Sequence, residues 1–144
     1  MDSEQRMTTA AQNDEVSAML IVRSGSIKNG LCALLKSIAS ISRIEITEDP
    51  VAGLEWVSTW QPHLAIIAGN GFGDQVSSLL MSSKRRSPTT CFMLFAENLP
   101  DAMGAEELEV EAVVQQGTHP DDLARLIESL VQEAIKKKGD GKNE

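Results

Sequence analysis

Short continuous apolar runs alternate along this chain with stretches whose apolar residues recur three and four apart. Met19-Leu20-Ile21-Val22 reads as a strand, and the turn residues Ser24-Gly25-Ser26 follow it. Ile27, Leu31, Leu34, Leu35 and Ile38 then repeat at helical spacing. Arg43-Ile44-Glu45-Ile46-Thr47 alternates and predicts a second, half-exposed strand. Val51, Leu54, Val57 and Trp60 outline a helix that stops before Pro62. Leu64-Ala65-Ile66-Ile67-Ala68 predicts a buried third strand, followed by the loop Gly69-Asn70-Gly71-Phe72-Gly73. Asp74 can cap a helix carrying Val76, Leu79 and Leu80. Cys91-Phe92-Met93-Leu94-Phe95 predicts the fourth strand, residues 100–108 a weak short helix, and Ala112-Val113-Val114 the last strand. Pro120, Asp121 and Asp122 open a final helix with the apolar stripe Leu123, Leu126, Ile127, Leu130, Val131, Ala134 and Ile135. Lys136, Lys137 and Lys138 suit the negative end of its dipole, and Gly139 is the expected stop.

Five strands thus alternate with five helices. Strands that are apolar throughout are covered on both faces, and alternating β and α elements build a parallel sheet with right-handed crossovers. The expected fold is α/β: a flavodoxin-like (βα)5 three-layer sandwich with a five-stranded parallel sheet of order 2-1-3-4-5. In such a sheet, ligand chemistry sits at the carboxyl ends of the strands. Residues 1–17 are polar and predict a flexible tail, as do 139–144, which leaves 18–138 as one folded domain.

Composition narrows the function. The chain has 144 residues, a formal net charge of −8, 3% aromatic residues and no Tyr. It lacks the positive field and ring platforms that hold nucleic acid, so none is expected to bind. No apolar run reaches the length of a membrane span, nothing resembles a signal peptide, and a cytoplasmic location is expected. Cys32 and Cys91 read as reduced, buried small hydrophobes. His63 and His119 fall at opposite ends of the inferred sheet, so no metal, cofactor or nucleophile–base pair is expected and the chain does not read as an enzyme.

The stretches Leu20-Ile21-Val22, Asn29-Gly30-Leu31-Cys32-Ala33-Leu34-Leu35, Gln61-Pro62-His63-Leu64-Ala65-Ile66-Ile67 and His119-Pro120-Asp121-Asp122-Leu123 resemble matching stretches of response-regulator receiver domains (CheY-like). The resemblance covers about residues 19–134. It implies aspartyl phosphorylation at a site with an acidic pair for Mg²⁺, an acceptor Asp, a Thr or Ser and a Lys. Here those positions fall on Arg23 and Ser24 (or on Val22 and Arg23, if the loop is one residue shorter), on Ala68, on Phe95 and on Gln116. Alanine carries no nucleophile, and a cation at Arg23 repels Mg²⁺. The resemblance therefore implies a degenerate pseudo-receiver in signal transduction, independent of phosphorylation, that acts through protein contacts.

Two surfaces suit such contacts. Glu97, Asp101, Glu106, Glu107, Glu109 and Glu111 form a run of acids without a base. They lie on the face that receivers build from the fourth helix, fifth strand and fifth helix, where the resemblance implies a protein partner or a homodimer. Trp56 and Trp60 are four apart on one helix and can touch, either as an aromatic anchor or as ordinary packing. Lys84-Arg85-Arg86 reads as a solvated helix end, too small a basic cluster for DNA. Two alternatives remain at this point. The loop Gly69, Gly71 and Gly73 with Arg23 can offer an anion-binding crevice for a small anionic ligand or nucleotide. The chain can also be the receiver part of a longer DNA-binding regulator. The charge belongs to the folded part: residues 19–135 carry fifteen acids and eight bases.

Overall fold

The computed structural model describes residues 16–22, 26–69, 74–96, 110–115 and 117–143. Strands β1 (Ser17–Ile21), β2 (Arg43–Thr47), β3 (Leu64–Gly69), β4 (Cys91–Ala96) and β5 (Ala112–Gln115) form one sheet. Helices α1 (Ser26–Ser37), α2 (Pro50–Trp60), α3 (Asp74–Arg86) and α4 (Pro120–Asn143) connect or follow them. The strand order is β2-β1-β3-β4-β5, and every neighbouring pair is parallel, as the alternating pattern predicts. The predicted helix over 100–108 lies outside the described residues.

The period-two geometry of the strands divides the core into two layers. Ala18, Leu20, Leu64, Ile66, Ala68, Cys91, Met93, Phe95 and Val114 face α1 and α4. Met19, Ile21, Ala65, Ile67, Phe92 and Leu94 face α2 and α3. The three central strands are apolar on both faces because both faces are covered. β2 lies at an edge, and its side chains are half-buried or exposed.

Local signals set the helix ends. The Asp49 carboxylate accepts the Val51 N–H at 3.0 Å and caps α2, with Pro50 in its first turn. Gln61 closes α2 in a left-handed conformation, φ 56°, and its N–H donates to the Val57 carbonyl. α2 approaches the sheet at Gly53. A Cβ there would lie 2.7 Å from the Ile21 side chain and 2.8 Å from Thr47 Cγ2.

Two boundaries differ from the sequence reading. The fold begins before residue 18: Val16 and Ser17 are buried. The Val16 carbonyl accepts from the Ser42 and Arg43 N–H groups, and Ser17 exchanges bonds with His63. A polar serine looks like tail in sequence, but its backbone is committed to β1. At the other end, α4 does not stop at Gly139 and continues to Asn143. Gly139 has open space around it and no left-handed φ, so nothing packed against it forces the chain to reverse.

Candidate functional site

The carboxyl edge of the sheet is where the fold places chemistry. Among the described residues the centre of this edge is apolar. Ala68 pairs in register with Phe95, and Phe95 with Val114, so three adjacent strands carry a methyl, a phenyl and an isopropyl group. All three are buried. Beside them, Ile27, Gly30, Leu31 and Leu34 of α1 and Thr118, Pro120 and Leu123 at the start of α4 line a cleft of about 190 Å³ with Phe95. Thr118, the hydroxyl in that lining, donates to the Gln115 carbonyl at 2.7 Å and so closes its own turn. Gly117, at φ 102°, makes that turn in a conformation that favours glycine.

The predicted positions separate into two groups. Ala68 and Phe95 stand where the resemblance puts an acceptor and a hydroxyl, and the structure brings them together. Gly69 ends β3 beside Ala96. Arg23, Ser24, Gly71, Gly73, Gln116, Glu106, Glu107 and Glu109 lie outside the described residues. Lys28, near the same edge, pairs with Glu48 at 3.4 Å. Among the described residues no group of His, Cys, Asp and Glu is placed to hold a metal ion.

Glu111 corrects the sequence reading. It was expected on an acidic partner surface, but its carboxylate is turned inward and 14% exposed. It accepts the Phe92 N–H at 2.7 Å, Lys137 Nζ at 2.9 Å and Lys84 Nζ at 3.1 Å. Burial alone would push this carboxyl up; the Phe92 N–H, Lys137 and Lys84 outweigh burial and hold it below the usual carboxylate range. The residue therefore ties β4, α3 and α4 together and is not available to a partner. Nothing local in sequence announces this, because its cations lie 26 and 27 residues away.

The amino edge of the sheet holds most of the described polar network. His63 is buried and accepts the Ser17 N–H at Nδ1. Burial, and then the charge of Lys138, push its pKa down to about 4, so it is neutral at ordinary pH. Lys138 donates to the Gln61 carbonyl at 2.9 Å and to Thr89 Oγ1 at 3.3 Å, and burial lowers its own pKa. Thr90 bonds Ser87 and the Pro62 carbonyl. His119 is exposed after β5 and accepts the Asp121 N–H, so the two histidines remain apart as expected.

Cys91 is buried, and burial pushes its thiol up to about 11; Cys32 is only half-buried, less than the sequence suggests. Trp56 and Trp60 do touch, with ring centroids 5.6 Å apart. The Arg43 guanidinium lies 4.8 Å over Trp60, which leaves Trp56 as the outer ring at 38% exposure.

The sheet order and its helices make this a receiver-type, flavodoxin-like fold. No family model and no curated protein sequence matches the chain. Solved structures do. The signal receiver domain of an HD-domain-containing protein from Pseudomonas fluorescens superposes with a TM-score of 0.73 at 17% identity, covering 88% of this chain and 93% of that one. A CheY-like receiver domain protein from Methanospirillum hungatei gives 0.71 at 16% identity, over 85% and 98%. An orphan response regulator of Helicobacter pylori gives 0.67 at 12% identity, over 82% and 98%. At these identities the likeness is one of fold. Among the described residues no helix is long and apolar enough to cross a membrane.

Proposed function

We propose that this chain is a receiver-like regulatory module that works through protein contacts, without aspartyl phosphorylation and without catalysis of its own. The observation that carries this reading is the pairing of Ala68 with Phe95 at the ends of β3 and β4. Where a phosphorylatable receiver needs a nucleophile and a hydroxyl, this edge offers a methyl group and a ring. Neither supplies an oxygen to a metal ion or to a phosphoryl group. The receiver domains and the orphan response regulator among the structures of this fold support a regulatory role.

Incubation with acetyl phosphate and Mg²⁺, followed by intact mass measurement, tests the reading. The mass is expected to stay unchanged. A hydroxylamine-labile phosphoryl adduct would sink the proposal.

A further inference from the structure

We propose that the amino edge of the sheet is a docking surface for an acidic protein segment, held by the C-terminal turns of α3 and α4. Among the described residues, the bases at the opposite edge and its helix starts have carboxylate partners: Lys28 pairs with Glu48, and Arg125 with Asp122. The amino edge differs. Arg85 and Arg86 end α3, and Lys136 stands in the last turns of α4. All three are exposed, and none has a carboxylate partner among the described residues.

Lys138 is a second, independent sign. It is half-buried, yet its hydrogen bonds go to a carbonyl and a hydroxyl, with no carboxylate among the described residues to balance it. A desolvated cation with neutral partners is an unbalanced charge, and an incoming carboxylate would balance it.

Tertiary contacts bring the ends of α3 and α4 together. Gln61 Nε2 donates to the Arg86 carbonyl, and the Gln61 carbonyl accepts from Lys138, so Gln61 bridges the two helix ends. Lys84 and Lys137 share the carboxylate of Glu111 just behind them, and Lys137 also reaches Glu133 at 3.8 Å. That inner group is balanced, two cations against two acids, so the excess positive charge lies with the exposed helix-end bases and Lys138. Part of this charge answers the negative helix ends, but two helix termini account for about one unit in total, fewer than the cations gathered here.

The partner class follows from range. At physiological salt a charge is felt over roughly 8 Å. A short acidic segment seated on this edge therefore senses the local cations. A nucleic-acid duplex or an anionic bilayer extends past the edge and meets a chain of net charge −8. This inference deepens the reading of the chain as a contact module and rests on it. Phosphoryl uptake and peptide binding are separate measurements, so either can fail alone.

The test is fluorescence anisotropy of a labelled oligoglutamate peptide titrated with the full chain at about 150 mM salt. Saturable binding is expected, weakened about tenfold or more by the double variant Arg85→Glu/Arg86→Glu and unchanged by Arg125→Glu at the far end. Circular dichroism on each variant checks that the fold is kept. Three results overturn the proposal: no saturable binding, equal affinity in the folded double variant, or tighter binding of duplex DNA or phosphatidylserine vesicles than of the peptide.

Discussion

Gly53 and Gly30 both sit inside helices, and their surroundings give the same substitution opposite signs. Alanine is favoured over glycine in a helix by about 1 kcal/mol. At Gly30 the added methyl meets nothing within 4 Å, so Gly30→Ala is expected to stabilise the fold by up to about 1 kcal/mol. At Gly53 it meets Ile21, only 1% exposed and without room to retreat, and Thr47. Overpacking of about 1–3 kcal/mol then outweighs propensity, and Gly53→Ala is expected to lower stability. Urea unfolding of the two variants decides it; a shift of the same sign in both would refute the packing argument. Gly53 is invisible as a special position in sequence, where it is one small residue in a helical pattern.

The helices owe their starts to local chemistry and their ends to their neighbours. Asp49 caps α2 through a bond two residues long, and a sequence reader can place such a signal without a fold. Asp49→Ala is expected to cost about 1 kcal/mol, seen as a lower urea midpoint with an unchanged slope. The end of α4 is different. Its stripe is legible from spacing: Leu123, Ile127, Leu130, Val131 and Ala134 are buried and Leu126 is half-buried, whereas Ile135, expected in the same stripe, is exposed near the helix end. Its length past Gly139 is not legible, because a glycine stops a helix only where the chain must turn. Likewise β1 starts earlier than its apolar run, since backbone pairing to Ser42, Arg43 and His63 does not depend on side-chain polarity.

At the scale of the whole molecule, buried His63 and half-buried Glu111 at the amino edge are the groups among the described residues that tie stability to acid. His63 has its pKa lowered from 6.5 to about 4, so the unfolded chain takes up this proton first. Its contribution is therefore fully present above pH 6.5 and declines as the pH falls toward 4. Glu111 is also depressed, from 4.5, so its stabilising effect is present above that value and is lost as the pH falls through its folded pKa. Stability is expected to fall in two successive windows below neutrality. His63→Gln should flatten the upper window, and Glu111→Gln the lower one while weakening the fold at neutral pH by about 1–3 kcal/mol. Thermal midpoints measured from pH 7 to pH 3 check both; a His63→Gln profile parallel to wild type would refute the first assignment.

The candidate site was legible to a similar, uneven degree. That Ala68 and Phe95 lack oxygen chemistry can be read from their letters. That they are neighbours on one apolar edge depends on the parallel register of β3 and β4. Glu111 was misread because a run of acids suggests a surface, whereas two lysines from distant helices turn this one inward.

The alternation of apolar runs and helical stripes determined, by itself, the layered α/β fold with a covered parallel sheet, because burial on two faces is a property of each segment's own pattern. The tertiary structure alone decided which charges are spent internally and which face outward. Coulombic and hydrogen-bond partners are chosen by distance in space, and residues such as Glu111, Lys137 and Lys138 find theirs across 26 to 77 positions of chain.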